Sequence, residues 1–403
     1  MGRASHDAPT LDPVRVTLTA DSAWARLPLW AGLAGGLGVG ASALLGMGNP
    51  RQFYFSWLVS FLFWLSIALG GMCFVLAHFL ARAGWGVVVR RGAEKAMAVV
   101  PLCALLFVPV WLGRRELFSW TAADAAHDEV LAGKAPFLNE GFFLVRALIY
   151  FVLWSLIALY YARGSSRQDK SGDPAVSRRL LAGSGPAMFA FAITVTFASI
   201  DWVMSLDPHW YSTMFGVYFF AGCLIGVFAF LALFTILATR AGYLRGIVTP
   251  EHLHDLGKLL FAFTVFWAYI AFCQFFLVWY GNMPEETIWY LERFRGGWLG
   301  VAILLAVGHF GIPFFYLMPR TIKRNPSLLA AGAAWLLGMH FVDLYWQVMP
   351  VLHHELHPSL LDLTCLVGIG GLFLAAVGWS LRGEALVPLR DPRLPESLSL
   401  ENV

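Results

Sequence analysis

The stretch MFGVYFFAGCLIGVFAFLALFTILA, residues 214–238, runs for 25 positions without one charged side chain. About 20 mostly apolar residues, rising ~1.5 Å each as a helix, cross the hydrocarbon of a bilayer, so this run predicts a membrane-spanning helix. The rest of the chain agrees. Of 403 residues, 59% are apolar and 13% charged, with 33 Phe, 17 Trp and 12 Tyr, and the mean hydropathy is +0.67. A soluble domain carries about 25% charged residues because its surface needs them. No stretch between the apolar runs is long enough to fold a core of its own. The net charge of +3, spread over short loops, gives nucleic acid no basic face to bind. Cys73, Cys103, Cys223, Cys273 and Cys365 each stand alone in an apolar run. Their spacing suggests neither a metal centre nor an iron–sulfur cluster in this chain.

Working outward from 214–238, ten candidate spans lie near 27–46, 57–80, 97–112, 142–161, 186–205, 214–238, 257–280, 297–317, 328–349 and 360–381. The third is the shortest and contains Pro101 and Pro109, which a packed membrane helix tolerates. With both termini in the cytoplasm, inner segments hold 21 of the 28 Lys and Arg, outer loops hold six, and Arg146 falls inside a span. That asymmetry is the positive-inside signature. It predicts an all-α, multi-pass protein with a cytoplasmic tail over 1–26, a membrane domain over 27–381 and a second cytoplasmic tail over 382–403. Ala41-Ser42-Ala43 imitates a signal-peptide cleavage site, but Asp7, Asp12 and Asp21 make an unusual leader. Gly32, Gly36 and Gly40 repeat the small-residue spacing that packs membrane helices, so the first helix is expected to be retained. The largest outer loop, 113–141, carries Glu116, Asp124, Asp128, Glu129 and Glu140. It reads as a docking or capping segment, or as a solvated loop.

A charge at the bilayer centre costs about 3 kcal/mol on insertion scales, so ionisable residues within spans call for a role. Arg146, Asp201, His309, His340 and Asp343 lie within spans, His78 and Asp362 at span ends, and Gln274 and Gln347 add uncharged polarity. His340 falls roughly 18 Å into the ninth span. His340, Asp343 and Gln347, at i, i+3 and i+7, share one helix face. A stripe that starts at mid-membrane and opens outward suits a half-channel for protons. It equally suits interhelical hydrogen bonds worth about 0.6–2 kcal/mol each. His309 also falls near mid-depth, four residues before Pro313, which can bend the helix and free a carbonyl. The two histidines fit haem ligation only by approximate depth. His78, and His252 and His254 beside Glu251 and Asp255, read as interfacial residues or as the cytoplasmic mouth of a proton path.

One segment is too specific for helix packing to explain: DWVMSLDPHWYSTMFGVY, residues 201–218. It resembles a signature of the NrfD/polysulfide-reductase-like membrane subunits of alternative complex III, a bacterial quinol:cytochrome c oxidoreductase. Trp64 to His78, HFGIPFF at 309–315 with KRNP at 323–326, and DLYWQVMP at 343–350 look like the ActF subunit of that family. The resemblance covers most of 50–360. It implies ten helices, arranged as two four-helix bundles plus two extra helices, in the bacterial cytoplasmic (inner) membrane. The partners it implies are a homologous NrfD-like subunit that houses the quinol site, an iron–sulfur protein and multihaem cytochrome c subunits. The resemblance also implies membrane lipid around the assembly and allows a terminal oxidase as a further partner. The resemblance further implies that haem c and iron–sulfur clusters belong to the partner subunits and that this chain binds no cofactor of its own, a quinol being the one ligand it could take.

Asp207-Pro208-His209 falls at the outer face, where quinol oxidation would release protons. Pro208 would stop the fifth span, and Trp210 and Tyr211 suit the interfacial aromatic belt. The same turn can be read structurally, with Ser212 and Thr213 capping the sixth span. The expected role is therefore a proton path and scaffold within a quinol-oxidising complex, with no catalytic or metal-ligating residue. The path is drawn from His78, Arg146, Asp201, Asp207, His209, His309, His340, Asp343 and Gln347. A quinol bound to this chain would be lined by Asp201, His309, His340 and aromatics. The alternatives are a proton-coupled secondary transporter and a purely structural anchor for electron-transfer subunits.

Overall fold

A computed structural model describes residues 11–19 and 23–401. Arg3, Asp7 and Asp21 of the expected N-terminal tail lie outside the described residues. Ten helices are long and apolar enough to cross a membrane, and among the described residues there is no β-strand, only isolated bridges. The protein is an all-α integral membrane protein. In chain order the spans are Trp24–Gly46, Pro50–Leu80, Val87–Leu112, Glu140–Ser171, Pro174–Leu206, Phe215–Arg240, Pro250–Gly281, Trp298–Leu317, Pro326–Val351 and Leu360–Ser380.

Local chemistry sets many of the helix starts. Spans two, five, seven and nine begin on cap–proline pairs, Asn49-Pro50, Asp173-Pro174, Thr249-Pro250 and Asn325-Pro326. The side chain ahead of each proline accepts a free N–H of the first turn, and the ring fixes a helical φ where no N–H is needed. Gly172 ends span four at φ 68° and Asn282 ends span seven at φ 46°, in the left-handed conformation typical of helix exits.

Spans two to five pack on one another, spans six to nine form a second group, and spans two and six meet between the groups. Span two is central: 94% of its apolar window is buried, against 22% for span one. Spans one and ten pair closely and rest on span two through span ten. The contact uses Gly35 and Gly38 against Gly368 and Gly371; a Cβ on Gly371 would stand 2.4 Å from the Gly35 nitrogen. This corrects two of the three positions of the expected Gly32-Gly36-Gly40 face, for a Cβ at Gly32 would meet Ala375 of span ten (3.5 Å). Gly36 and Gly40 have nothing within 4 Å of a Cβ position, because the helix rotation that packs Gly35 and Gly38 turns them outward.

Span three starts at Val87, ten residues before the expected 97. Arg90, Arg91 and Lys95 are therefore not loop residues. They are buried in the helix, where Arg90 pairs with Glu94 (2.8 Å) and Asp391 (2.7 Å), Arg91 with Glu94 (3.1 Å) and Asp169, and Lys95 with Glu384 (2.5 Å). The charged turn ends an apolar scan while its partners keep it helical. Ten crossings return the chain to its starting face. There the Leu386 N–H donates to the Val16 carbonyl (2.8 Å) and Arg382 donates to the Ala25 carbonyl (2.6 Å).

On the opposite face the 113–141 loop caps its own chain. Trp120 donates to Ser205 (3.3 Å), Lys134 donates to the Pro208 carbonyl (2.6 Å), and Asp128 meets His209 (2.7 Å). That hydrogen bond holds the Asp128 carboxyl below its usual range.

Candidate functional site

Six of the nine polar residues expected on the proton path fall into two separate clusters. The first joins spans four and five. Arg146 donates in fork geometry to both oxygens of Asp201 (2.8 and 2.7 Å), and Tyr150 donates to the same carboxylate (2.7 Å). The third Arg146 nitrogen reaches the Phe137 carbonyl (2.8 Å), and its guanidinium lies between the rings of Phe137 (3.8 Å) and Phe142 (4.4 Å). Asp201 is fully buried and carries a complete set of charge-matched donors. This is a closed pair.

The second cluster takes residues from spans six to nine. Asp343 is buried and accepts hydrogen bonds from Tyr218, from the Trp267 indole (3.1 Å) and from Gln347 one turn along its own helix (3.2 Å). All three donors are neutral, and no cation pairs with Asp343 among the described residues. The His309 ring packs on Trp267 with centroids 3.9 Å apart, and neither of its nitrogens has a hydrogen-bond partner among the described residues. His340 shares a 2.8 Å hydrogen bond with Ser66 of span two, and its Nδ1 is unpartnered among the described residues. Gly222 and Gly226 make room for the His340 ring; a Cβ at Gly222 would stand 2.7 Å from it.

Span eight is distorted where it carries His309. Residues Leu305–Gly311 form a π-helix, followed directly by Ile312 and Pro313. Proline has no N–H to continue the ladder, so the Gly308 carbonyl, five residues before Pro313, is left over. The Trp335 indole takes it (2.7 Å). The expected freed carbonyl is present, and the wider turn sets His309 toward Trp267.

Beside this cluster lies a cavity of about 490 Å³, walled by Tyr218, Trp267, Gln274, Tyr290, Phe310 and Trp346 among others. Tyr269 and Phe272 also line it and are mostly exposed, so it opens on the lipid-facing flank. Tyr218 and Trp267 connect it to Asp343. Its polar groups are few: Gln274 donates to the Tyr290 hydroxyl (3.2 Å), and the Trp346 indole N–H has no acceptor among the described residues. The pocket expected from Asp201, His309 and His340 together is not what forms. Asp201 is bound up in the first cluster, and none of the three lines this cavity.

Toward the capped face, Arg293 donates to the Gln347 carbonyl (2.8 Å) and lies 3.6 Å over the Trp289 ring. Burial lowers it to about 10. Burial likewise raises the Asp207 carboxyl above the usual carboxylate range, against the attraction of Arg293, His209 and Lys134. Ser212 accepts from the Met214 N–H (3.3 Å) and donates to Gln274 (2.9 Å), so it links span six to the cavity wall as well as easing the helix start.

His78 sits apart, at the end of span two. His252 closes a capping box with Thr249 and reaches the Ser397 carbonyl (2.9 Å), a structural position. Asp362 accepts from Ser56, from Gln52 (3.3 Å) and from Tyr345 (3.1 Å). Tyr218, Trp267, Tyr290, Arg293 and Ser66 are site residues that the sequence reading passed over. The signal available was modest: Tyr218 closes the 201–218 signature, and Trp267 lies two turns before Gln274 on one helix. A scan of the chain against protein-family models finds no match, and a search of curated proteins finds none.

Proposed function

We propose that this chain is a proton-handling and scaffolding subunit of a quinol:cytochrome c oxidoreductase of the alternative complex III type, in the bacterial cytoplasmic membrane with both termini cytoplasmic. The observation that carries this reading is Asp343: a buried acid within the membrane domain, held only by neutral donors, beside two histidines with open ring nitrogens. An acid with a cationic partner is fixed in one charge state. An acid without one can take up and release a proton, and intramembrane acids and histidines of this kind mark proton relays. Gln347, Arg293 and Asp207 continue the polar groups from Asp343 toward the capped face, and His209 stands beyond them. Should a quinol reach this chain, the lipid-facing cavity offers apolar walls and a few hydroxyl, amide and indole groups. The redox centres, haem c and iron–sulfur clusters, would be carried by partner subunits.

The test is extraction of the tagged chain from native membranes in mild detergent, with mass spectrometry of what accompanies it. A multihaem cytochrome c, an iron–sulfur protein and a second polytopic subunit are the expected partners. A chain that purifies alone overturns this reading and leaves the proton-coupled transporter.

A further inference from the structure

On the face that carries the termini, spans two, three and five meet the C-terminal segment around a cavity of about 830 Å³. Four guanidinium groups line it, Arg82, Arg90, Arg178 and Arg393, against two carboxylates, Asp391 and Glu396. The carboxylates are committed: Asp391 pairs with Arg90 (2.7 Å) and Glu396 with Arg393 (2.6 Å). Arg82 and Arg178 have no hydrogen-bond or ion-pair partner among the described residues, and both are solvent-accessible. His78 also lines the cavity; it is 5% exposed, and neither ring nitrogen is partnered among the described residues. A buried polar ring without a partner costs free energy, and here it borders a space whose uncompensated charge is positive.

Guanidinium groups match the oxygens of a phosphate, and an imidazole N–H can donate to the same group. The cavity lies at the ends of membrane-crossing helices. Phe79 and Leu181 form its apolar walls, and Leu80 beside it is 43% exposed, so an acyl chain could descend along the flank directly below. Basic pockets between transmembrane helices bind anionic headgroups for this reason. We propose that this pocket binds the phosphate of an anionic phospholipid, with Arg82, Arg178 and His78 as its contacts.

The test uses the full-length tagged protein in neutral detergent, and native mass spectrometry with phosphatidylglycerol, phosphatidylcholine or inorganic phosphate. The comparison is between the natural sequence, an Arg82→Gln/Arg178→Gln double variant and an Arg295→Gln control on the opposite face. Phosphatidylglycerol should be retained over phosphatidylcholine, and the double variant should lose that retention by about tenfold or more, the loss expected when charged hydrogen bonds go. The control should behave as the natural protein. Unaltered circular dichroism excludes unfolding, since both substituted arginines are exposed. Equal retention of the two lipids, or a double variant that keeps phosphatidylglycerol, overturns the proposal. Inorganic phosphate binding with the same arginine dependence, without lipid retention, overturns it in favour of a free anion.

Discussion

Asp201 and Asp343 are both buried acids, and their surroundings give them opposite properties. Asp201 has Arg146 in fork geometry and Tyr150 besides. Removing its charge leaves Arg146 uncompensated among phenylalanines, and breaking such a pair from one side costs about 3–5 kcal/mol. Asp201→Asn should therefore lower the unfolding midpoint sharply, as read by thermal or denaturant unfolding in detergent. Asp343→Asn removes no ion pair, so the midpoint should stay near that of the natural protein. On the proposed function, turnover of the quinol-oxidising complex should instead fall by about a hundredfold, the scale at which a proton-transfer group contributes. Quinol oxidation and proton release that are unchanged in this variant would take Asp343 out of the mechanism. The sequence named both acids and both mid-depth histidines, because a charge in an apolar run is conspicuous on its own. It did not show which acid had the arginine, since Arg146 and Asp201 are 55 residues apart and only packing of spans four and five joins them.

At the scale of the element, the helices were largely legible and their irregularities less so. Length and apolarity are local, additive properties, so ten runs gave ten spans. The cap–proline starts add a second, independent mark in the same residues. The early start of span three was hidden because Arg90, Arg91, Glu94 and Lys95 read as loop until their partners are known. Helix rotation was hidden too: Gly35 and Gly38 are as glycine-rich a face as Gly36 and Gly40, and only the position of span ten decides between them. That contact yields a prediction. Gly371→Ala places a methyl group against the backbone of Ala31 and Gly35, overpacking that costs about 1–3 kcal/mol. Backbone amides of span one should then exchange faster in hydrogen-exchange mass spectrometry, with those of spans two and six unchanged.

Across the whole molecule, polarity is turned inside out. Large apolar side chains such as Leu37, Leu156 and Phe315 face outward, while Arg90, Arg91, Glu94, Arg146, Asp201 and Asp343 are buried in internal clusters. The cluster on the terminal face ties span three to Asp169 at the end of span four and to Glu384 and Asp391 beyond span ten. Burial pushes the Glu384 carboxyl up, but Lys95, Ser166 and Arg91 outweigh it and hold it below its ordinary value. A carboxyl depressed in the fold stabilises it above the unfolded value, and that contribution disappears as the pH falls through the folded one. Unfolding midpoints measured down through the acidic range should therefore drop more steeply for the natural protein than for Glu384→Gln, which lacks the contribution at every pH.

Arg90 and Asp391 are 301 residues apart. A ribosome delivers the first three spans long before the tail that neutralises them. Until residues 384–391 follow, the nascent chain lacks the carboxylates that pair with Arg90 and Lys95 across the terminal face, and the Leu386–Val16 seam stays open. The membrane domain is thus latched by a segment made after all ten of its helices. A stop between Ser380 and Arg382 leaves ten helices without that latch.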